Sequence, residues 1–130
     1  MKTGSETKWL SLDYKANSLY SVIADNKYRP TSKGRDAWKK LVSGSSLQPN
    51  CNREGFNVLN MARIGIVSNQ DNNCNSPESR IGFGTAGSSC GQNDKNSAGN
   101  EARCGGDNGN KSIKGFGYIF VQEMVTQQAF

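Results

Sequence analysis

The sequence predicts a β-rich α+β fold: a compact antiparallel sheet domain with one short helix and long disulfide-stapled loops. Three observations lead to this prediction. Short apolar segments with strand character occur at several places along the chain, and only residues 32–42 show helical spacing. Hydrophobic residues make up just 34% of the 130 residues, so the core is expected to be thin. Four cysteines are available to compensate for it.

The first two elements follow from the spacing of the apolar side chains. In residues 8–16, KWLSLDYKA, leucine and tyrosine alternate with polar residues, and this period of two predicts a half-buried strand. Ser32 then offers a hydroxyl cap, and Trp38 and Leu41 follow at helical spacing. The sequence therefore predicts one helix from Ser32 to Val42.

The remaining elements surround a long polar region. Residues 55–59 and 62–67 are predicted strands, and residues 113–125, IKGFGYIFVQEMV, predict a central closing strand. Between them, residues 69–111 are crowded with Asn, Gly, Ser and acidic side chains. This composition fits either disorder or an ordered functional loop system. The cysteines inside it favour order, and we expect a single domain over residues 1–130.

The four cysteines predict a disulfide framework. Zinc is excluded because the chain has no histidine and no Cys-x-x-Cys pair. A bridge from Cys90 to Cys104 would close a Gly- and Asn-rich loop that has little apolar surface to bury, which leaves Cys51 with Cys74. A bridge between protomers remains an alternative. Structural disulfides predict a secreted, extracellular protein.

Several classes of function are disfavoured by what the sequence lacks. The net charge of +5 is scattered without a basic stripe or a nucleic-acid motif, so nucleic acid is not an expected partner. No apolar run approaches the roughly 20 residues that span a bilayer, so membrane insertion is not expected. Without histidine there is no Ser-His-Asp or Cys-His arrangement, and we expect no enzyme. Weak attraction to acidic glycans or cell surfaces stays open.

The polar region offers many oxygen atoms of the kind that calcium prefers. Residues 69–78, NQDNNCNSPE, are dense in carboxylates and amides, and further acidic residues and glycines follow. The spacing is not that of an EF-hand. Two alternatives stay open. Asn and Asp are ordinary turn formers, and the acidic side chains can instead pair with basic ones, namely Arg80, Lys95, Arg103 and Lys111.

Sugar recognition requires similar groups together with an apolar surface. Amides and carboxylates hold neighbouring hydroxyl groups, and an aromatic ring covers the C–H face of the sugar. Phe83 lies between two glycines, which favours exposure at a loop edge. Phe116, Tyr118, Trp38 and Tyr28 are further candidate rings. Phe116 and Tyr118 lie in the predicted closing strand and Trp38 lies on the predicted helix, so burial in the core is the favoured interpretation for these three.

Three stretches of the chain resemble a known module. CNREGFNV, RIGIVSNQDNNCNSPESRIGFGTAGSSCG and GNEARCGGDNGNKSIKGFGYIFVQ are similar to a secreted module of corals, sea anemones and molluscs, and WLSLDYKA resembles its opening strand. That module includes a galactose-binding lectin type from sea anemones. More distantly, the chain resembles intelectin and fibrinogen-like domains.

The resemblance implies calcium in the loops and a terminal galactose-type ligand. It places these residues near metal: Asp71, Asn75, Glu78, Asp94 and Asp107. It places these near sugar: Asn100, Glu101, Arg103 and Asn108. Phe83 joins the sugar-binding set as the candidate ring.

The sequence thus predicts a calcium-dependent lectin that binds glycans of glycoproteins or cell surfaces. Single-site affinity for a sugar is expected to be weak, so a homodimer or larger homo-oligomer would supply avidity. The main alternative is a structural or adhesive extracellular matrix module in which calcium only stabilises the fold. A third interpretation is a basic host-defence protein that acts on acidic surfaces.

Overall fold

The computed structural model describes residues 1–123, which form short strands and two short helices. The strands are β1 (Lys2–Thr3), β2 (Glu6–Thr7), β3 (Arg29–Pro30), β4 (Asn50–Val58), β5 (Ala62–Asn69), β6 (Ser79–Phe83), β7 (Gly87–Ser89), β8 (Gln92–Asp94), β9 (Ala98–Ala102) and β10 (Lys111–Lys114). The helices are α1 (Leu19–Ile23) and α2 (Arg35–Leu41). Within the described residues no helix has the length and hydropathy needed to cross a membrane.

Six strands form one antiparallel sheet in the order β10-β9-β6-β5-β4-β3. Two smaller ribbons, β1-β2 and β7-β8, lie outside it. The predicted β-rich fold is therefore confirmed, with two short helices instead of one. The additional helix α1 is only five residues long, and a capping box between Ser18 and Ser21 starts it.

A row of glycines crosses the sheet. Gly55, Gly65, Gly82 and Gly99 stand opposite one another on β4, β5, β6 and β9. A Cβ atom on Gly82 would lie 2.1 Å from the carbonyl oxygen of Ile64, and one on Gly99 would meet its neighbouring strand at 1.9 Å. The neighbouring backbones along this row are therefore too close together to leave room for any side chain.

The main core lies between the sheet and helix α2. Its buried members include Trp38 and Leu41 of the helix and Phe56, Ile64 and Ile81 of the sheet. A second, smaller cluster of buried residues contains Val58, Ala62 and Val67. Because both clusters are small, polar side chains have to complete the interior.

Glu54 of β4 is one of these buried polar side chains, and it holds the start of helix α2. Its carboxylate accepts hydrogen bonds from the backbone N–H groups of Lys33 (3.0 Å) and Gly34 (2.6 Å), from the Thr31 hydroxyl (2.6 Å) and from Trp38 Nε1 (2.8 Å). Burial opposes ionisation, but these bonds together hold the pKa of Glu54 below its ordinary value.

The helix prediction and two strand predictions are confirmed with shifted bounds. Helix α2 lies inside the predicted range 32–42, and it begins at Arg35 because Glu54 binds the backbone just before it. Strands β4 and β5 contain most of the predicted ranges 55–59 and 62–67 and extend beyond them.

The predicted strand at residues 8–16 is wrong. Leu10 and Leu12 do pack against the core, which explains the period of two. Within residues 1–123 the segment nevertheless pairs with no strand. The sheet edge ends instead at β3, whose Pro30 has no N–H to offer a further strand. In this segment the alternation of apolar and polar residues indicates which side chains are buried, but it does not indicate pairing with another strand.

The predicted long loop at residues 69–111 is also corrected, because β6, β7, β8 and β9 lie within it. Strand β9, AGNEA, is buried along its whole length although it contains Asn100 and Glu101. A strand whose buried side chains are polar and hydrogen-bonded has no alternation of apolar residues, so a prediction from apolar periodicity misses it.

The predicted central strand at residues 113–125 is likewise corrected. Strand β10 ends at Lys114 and lies at the sheet edge, and residues 115–123 are not in a strand. Residues 124 and 125 of the predicted strand lie outside the described residues.

Replacement of Gly82 by Ala is expected to destabilise the domain by roughly 3 kcal/mol, because the new methyl group meets backbone on β5. Gly91→Ala is the matched control. Gly91 also has a positive φ, of 72°, but a Cβ atom there meets nothing within 4 Å, so we expect a loss of about 1 kcal/mol. Urea unfolding measures both, and equal losses would contradict the close approach of the strands.

Glu54→Gln is expected to destabilise the domain by about 2 kcal/mol at neutral pH, because charge-assisted bonds to the start of α2 are weakened. The folded-state pKa of Glu54 is lowered, so its contribution is complete above the unfolded pKa of about 4.3 and is lost as the pH falls below it. Urea unfolding of the variant should therefore show a weaker dependence on acid pH than the wild type. Glu123→Gln, at an exposed carboxylate, is the control and should change little.

Candidate functional site

The disulfides tie the polar region to the sheet. Cys51 pairs with Cys74, and Cys90 pairs with Cys104, so the predicted pairing is confirmed and all four cysteines are used within one chain. The first bridge joins β4 to the loop after β5, and the second joins the β7–β8 turn to the segment after β9. Two disulfides are consistent with an extracellular protein.

Asp94, a predicted metal ligand, lies buried between two arginines. Its Oδ2 accepts a hydrogen bond from Arg80 Nη2 at 3.1 Å and another from the Ser89 hydroxyl, and its Oδ1 accepts one from Arg103 Nη2 at 3.2 Å. The carboxylate is thus compensated by two guanidinium groups. A calcium ion at this position would be repelled by both of them.

Asp107, a second predicted metal ligand, fastens its loop to helix α2. Its carboxylate is paired with Arg35 Nη2 at 2.7 Å and with the Lys39 ammonium, and it accepts the Leu47 N–H at 3.0 Å. Burial opposes ionisation, but the hydrogen bonds from Lys39, Leu47 and Arg35 lower the pKa of Asp107 to about 2. This carboxylate also has its charge compensated within the chain.

Asp71 and Asn75 lie on an exposed loop of successive turns. Asp71 Oδ1 accepts the N–H of Asn73 at 2.8 Å, and Asn73 Oδ1 accepts the N–H of Asn75 at 2.9 Å. These are the turn-forming bonds that Asx side chains make with the backbone two residues later. The loop therefore uses its oxygens, at least in part, to hold its own shape.

Glu78 lies beside the second disulfide. Its Oε2 accepts a hydrogen bond from Gln48 Nε2 at 3.3 Å. Within the described residues, the one group of three or more Asp, Glu or Cys side chains whose ligand atoms lie within 4.8 Å of one another is Glu78, Cys90 and Cys104. Calcium prefers oxygen ligands, and these two sulfurs are joined to each other. The five predicted ligands are therefore not assembled into one site, and the calcium requirement stays a prediction.

Asn100 and Phe83, two predicted sugar ligands, have structural contacts. Asn100 is fully buried; its Nδ2 donates to the carbonyl oxygens of Ser46 (2.9 Å) and Arg80 (3.0 Å), and its Oδ1 accepts the Ser46 N–H at 2.8 Å. Phe83 packs against the main core, and its ring lies 3.0 Å from the position that a Cβ atom on Gly117 would take. Both side chains connect parts of the domain.

Glu101 and Arg103 belong to a buried polar network with Asp94. Glu101 Oε1 accepts hydrogen bonds from Asn96 Nδ2 at 2.7 Å and from the Ser112 hydroxyl at 3.1 Å, while its Oε2 lies 3.9 Å from Arg103 Nη2. Burial, followed by the proximity of Asp94, raises the pKa of Glu101 above its ordinary value. Because Glu101 is fully buried, it is poorly placed to hold an external sugar.

Asn108 is exposed and fastens the loop after β9 to the segment after α2. Its N–H donates to the Ser46 hydroxyl at 3.0 Å, and its Nδ2 donates to the Gly44 carbonyl oxygen at 3.0 Å. Of the predicted sugar ligands, the structure brings Glu101 and Arg103 together in one buried network, and Asn100 and Asn108 both hydrogen-bond to Ser46. Phe83 has separate contacts.

An exposed group of four aromatic rings is the strongest candidate site. Trp9, Phe116, Tyr118 and Phe120 are 66%, 60%, 66% and 71% exposed. Ring centroids lie 5.2 Å apart for Trp9 and Phe120, 5.4 Å for Phe116 and Tyr118, and 6.1 Å for Tyr118 and Phe120. These four contiguous rings are called the aromatic face below. Single exposed apolar side chains are common, but a contiguous patch indicates a binding surface.

Two glycines determine that Phe116 and Tyr118 point outward. Residues 113–118, IKGFGY, alternate in exposure: Ile113 packs on the core, and Gly115 and Gly117 lie so close to Met1 that a Cβ atom would contact it. Phe116 is held in place by backbone hydrogen bonds with Lys2, of 2.6 and 2.9 Å. Because Gly115 and Gly117 occupy the positions that face the core, the alternating Phe116 and Tyr118 side chains lie on the opposite side, in solvent.

Phe116 and Tyr118, for which the sequence favours burial in the core, are exposed, and Trp9 and Phe120 are not among the candidate rings that the sequence indicates. The alternation of glycine with aromatic residues in GFGY was the available signal. When glycine occupies every second position of an extended segment, the side that carries the glycines is the one that can pack closely against the core.

A shallow groove of about 190 Å³ is a weaker candidate. It lies beside the second disulfide and is lined in part by Leu59, Met61, Asn75, Pro77 and Glu78. Its lining residues within the described chain include no aromatic ring. The groove brings together two of the predicted metal ligands without a ring to cover a sugar.

Asp94→Asn is expected to destabilise the domain by about 3 kcal/mol, since it leaves the buried Arg80 without its counter-charge. Asp36→Asn, at an exposed position outside the predicted metal ligands, is the control and should change stability little. Urea unfolding with and without millimolar calcium measures both variants. Stabilisation of the wild type by calcium that disappears in Asp94→Asn would contradict a purely structural role for this carboxylate.

Comparison with known proteins adds no relative from which a function could be transferred. No protein-family model, no curated protein and no solved structure matches this chain. Function is therefore inferred from the geometry of the aromatic face and its surroundings.

Proposed function

We propose that this domain is a secreted carbohydrate-binding module that holds sugar rings against the aromatic face and releases them unchanged. The observation that carries the proposal is the set of four contiguous, exposed rings: Trp9, Phe116, Tyr118 and Phe120. The two disulfides support a site of action outside the cell.

The physical basis is the match between aromatic rings and the apolar side of a sugar. The face of an aromatic ring is electron-rich and attracts polarised C–H groups. A galactose-type ring suits this surface because its axial hydroxyl leaves a continuous patch of C–H groups on the opposite side. The Tyr118 and Phe120 rings are tilted by 39° with centroids 6.1 Å apart, whereas Phe116 meets Tyr118 edge to face at 87°, so the ring faces offer separate stacking positions for sugar units.

The aromatic face is anchored to the sheet before any ligand binds. Gly115 and Gly117 lie flush against Met1 and Phe83, and Phe116 is hydrogen-bonded to Lys2. A surface that is already ordered loses little conformational entropy when it binds, and this supports recognition of a small ligand. Affinity for one sugar should still be modest, so assembly of several copies would strengthen binding.

Calcium-dependent binding of a terminal galactose through the loop region remains a second proposal. Its support is the density of oxygen atoms in residues 69–78, of which Asn75 and Glu78 line the shallow groove. Binding at the aromatic face requires no metal ion, so a chelator separates the two modes.

A structural or adhesive matrix module is the alternative from another class. It is favoured by the pairing of Asp94 and Asp107 with cationic side chains, which uses both carboxylates within the fold. In that case the aromatic face would be buried against another copy of the chain.

The double variant Phe116→Ala/Tyr118→Ala is expected to weaken glycan binding about tenfold or more, because each lost stacking contact contributes about 0.5–1.5 kcal/mol. A glycan array followed by calorimetric titration with galactose oligosaccharides measures this. Tyr20→Ala is the control, since Tyr20 is 76% exposed on α1 and lies outside the aromatic face.

The same array run with a chelator separates the proposals. Binding that survives chelation and is lost in the double variant supports the aromatic face. Binding that is lost on chelation and survives in the double variant supports the calcium mode. An empty array, with a dimer in sedimentation that the double variant dissociates, supports the matrix module.

A further inference from the structure

The charges beside the aromatic face are positive and lack partners. Lys2 and Lys114 are exposed, and within residues 1–123 neither ammonium group is paired with a carboxylate or takes part in a side-chain hydrogen bond. Other basic side chains, such as Arg35 and Arg80, are paired with aspartates. The positive charge at this face is therefore available to a ligand.

Both lysines point to the same side as the rings. Lys2 stands directly opposite Phe116 in an antiparallel bridge, and residues opposite each other in such a pair share a face. Lys114 precedes Phe116 by two residues along a segment in which exposed and half-buried positions alternate. Two ammonium groups thus flank the ring of Phe116.

Few acidic residues offset this charge. Along the chain, the nearest acidic residue to Lys2 is Glu6, which is already 3.5 Å from the ammonium of Lys8. On the other side, Glu123 follows the aromatic face. A lysine is a compact, exposed point charge, and it interacts favourably with sulfate or carboxylate groups on a ligand.

We infer that the aromatic face binds acidic glycans, whose sugar rings stack on the aromatic side chains while their sulfate or carboxylate groups contact Lys2 and Lys114. This inference rests on the proposed function and specifies its ligand class. It differs from non-specific attraction by the net charge of +5, because it assigns the selectivity to two lysines beside Phe116.

The test compares a sulfated galactose oligosaccharide with its desulfated form, by calorimetric titration at low ionic strength. The wild type is expected to bind the sulfated form about tenfold more tightly, since two exposed ion pairs contribute modestly and additively. The double variant Lys2→Gln/Lys114→Gln should bind both forms with the affinity that the wild type has for the desulfated form. Raising the salt concentration should remove the preference of the wild type.

Lys27→Gln/Lys40→Gln is the matched control, because it removes the same charge from two exposed lysines outside the aromatic face. Circular dichroism confirms that each variant is folded. If the control weakens sulfated-sugar binding as much as the test variant, net charge is responsible and the inference is overturned. Equal binding of the wild type to phosphatidylserine vesicles and to the sulfated sugar also overturns it.

The outcomes separate the inference from the proposed function. Equal affinity for both sugars, lost in Phe116→Ala/Tyr118→Ala, leaves carbohydrate binding in place and overturns the preference for acidic glycans. Absence of binding to either sugar overturns both.

Discussion

The close approach of strands at the glycine row is the constraint on which the rest of the structure depends. Gly55, Gly65, Gly82 and Gly99 allow four neighbouring backbones to pack where no side chain fits. This approach sets the register of β4, β5, β6 and β9, and β10 is then paired along β9. Segment 115–118, which continues from β10, is positioned at the sheet edge as a result.

Polar side chains complete an interior that apolar residues alone do not fill. Glu54 holds the start of helix α2, Asn100 joins β9 to Ser46, and Asp94 lies between two arginines. A buried polar group is costly unless it is hydrogen-bonded, so these contacts tie the domain to one arrangement. The acidic residues that resemble calcium ligands in sequence are largely committed to this structural work.

The small size of the inward-facing residues explains why the aromatic face is exposed. Gly115 and Gly117 leave no large inward side chain on the segment after β10, whose backbone is hydrogen-bonded to Ala98 on one side and to Lys2 on the other. Phe116 and Tyr118 therefore lie in solvent, with Tyr118 beside Phe120, although their hydrophobicity is typical of a core. Within residues 1–123 these rings lie beside Lys2 and Lys114, whose ammonium groups have no carboxylate partner there, and binding of an acidic sugar is proposed from this arrangement.

The sequence by itself determined the β-rich class, helix α2 and the neighbouring strands β4 and β5, because local spacing carries that information. Loop composition favoured the disulfide pairing that the structure shows but left other pairings open. It did not reveal strand β9 or the ion pairs of Asp94, since partners distant in sequence decide whether a polar side chain is buried. The exposure of Phe116 was likewise decided by tertiary structure. Hydrophobicity indicates that a ring favours burial, but only the packing of Gly115 and Gly117 against the sheet determines which side of the segment faces solvent.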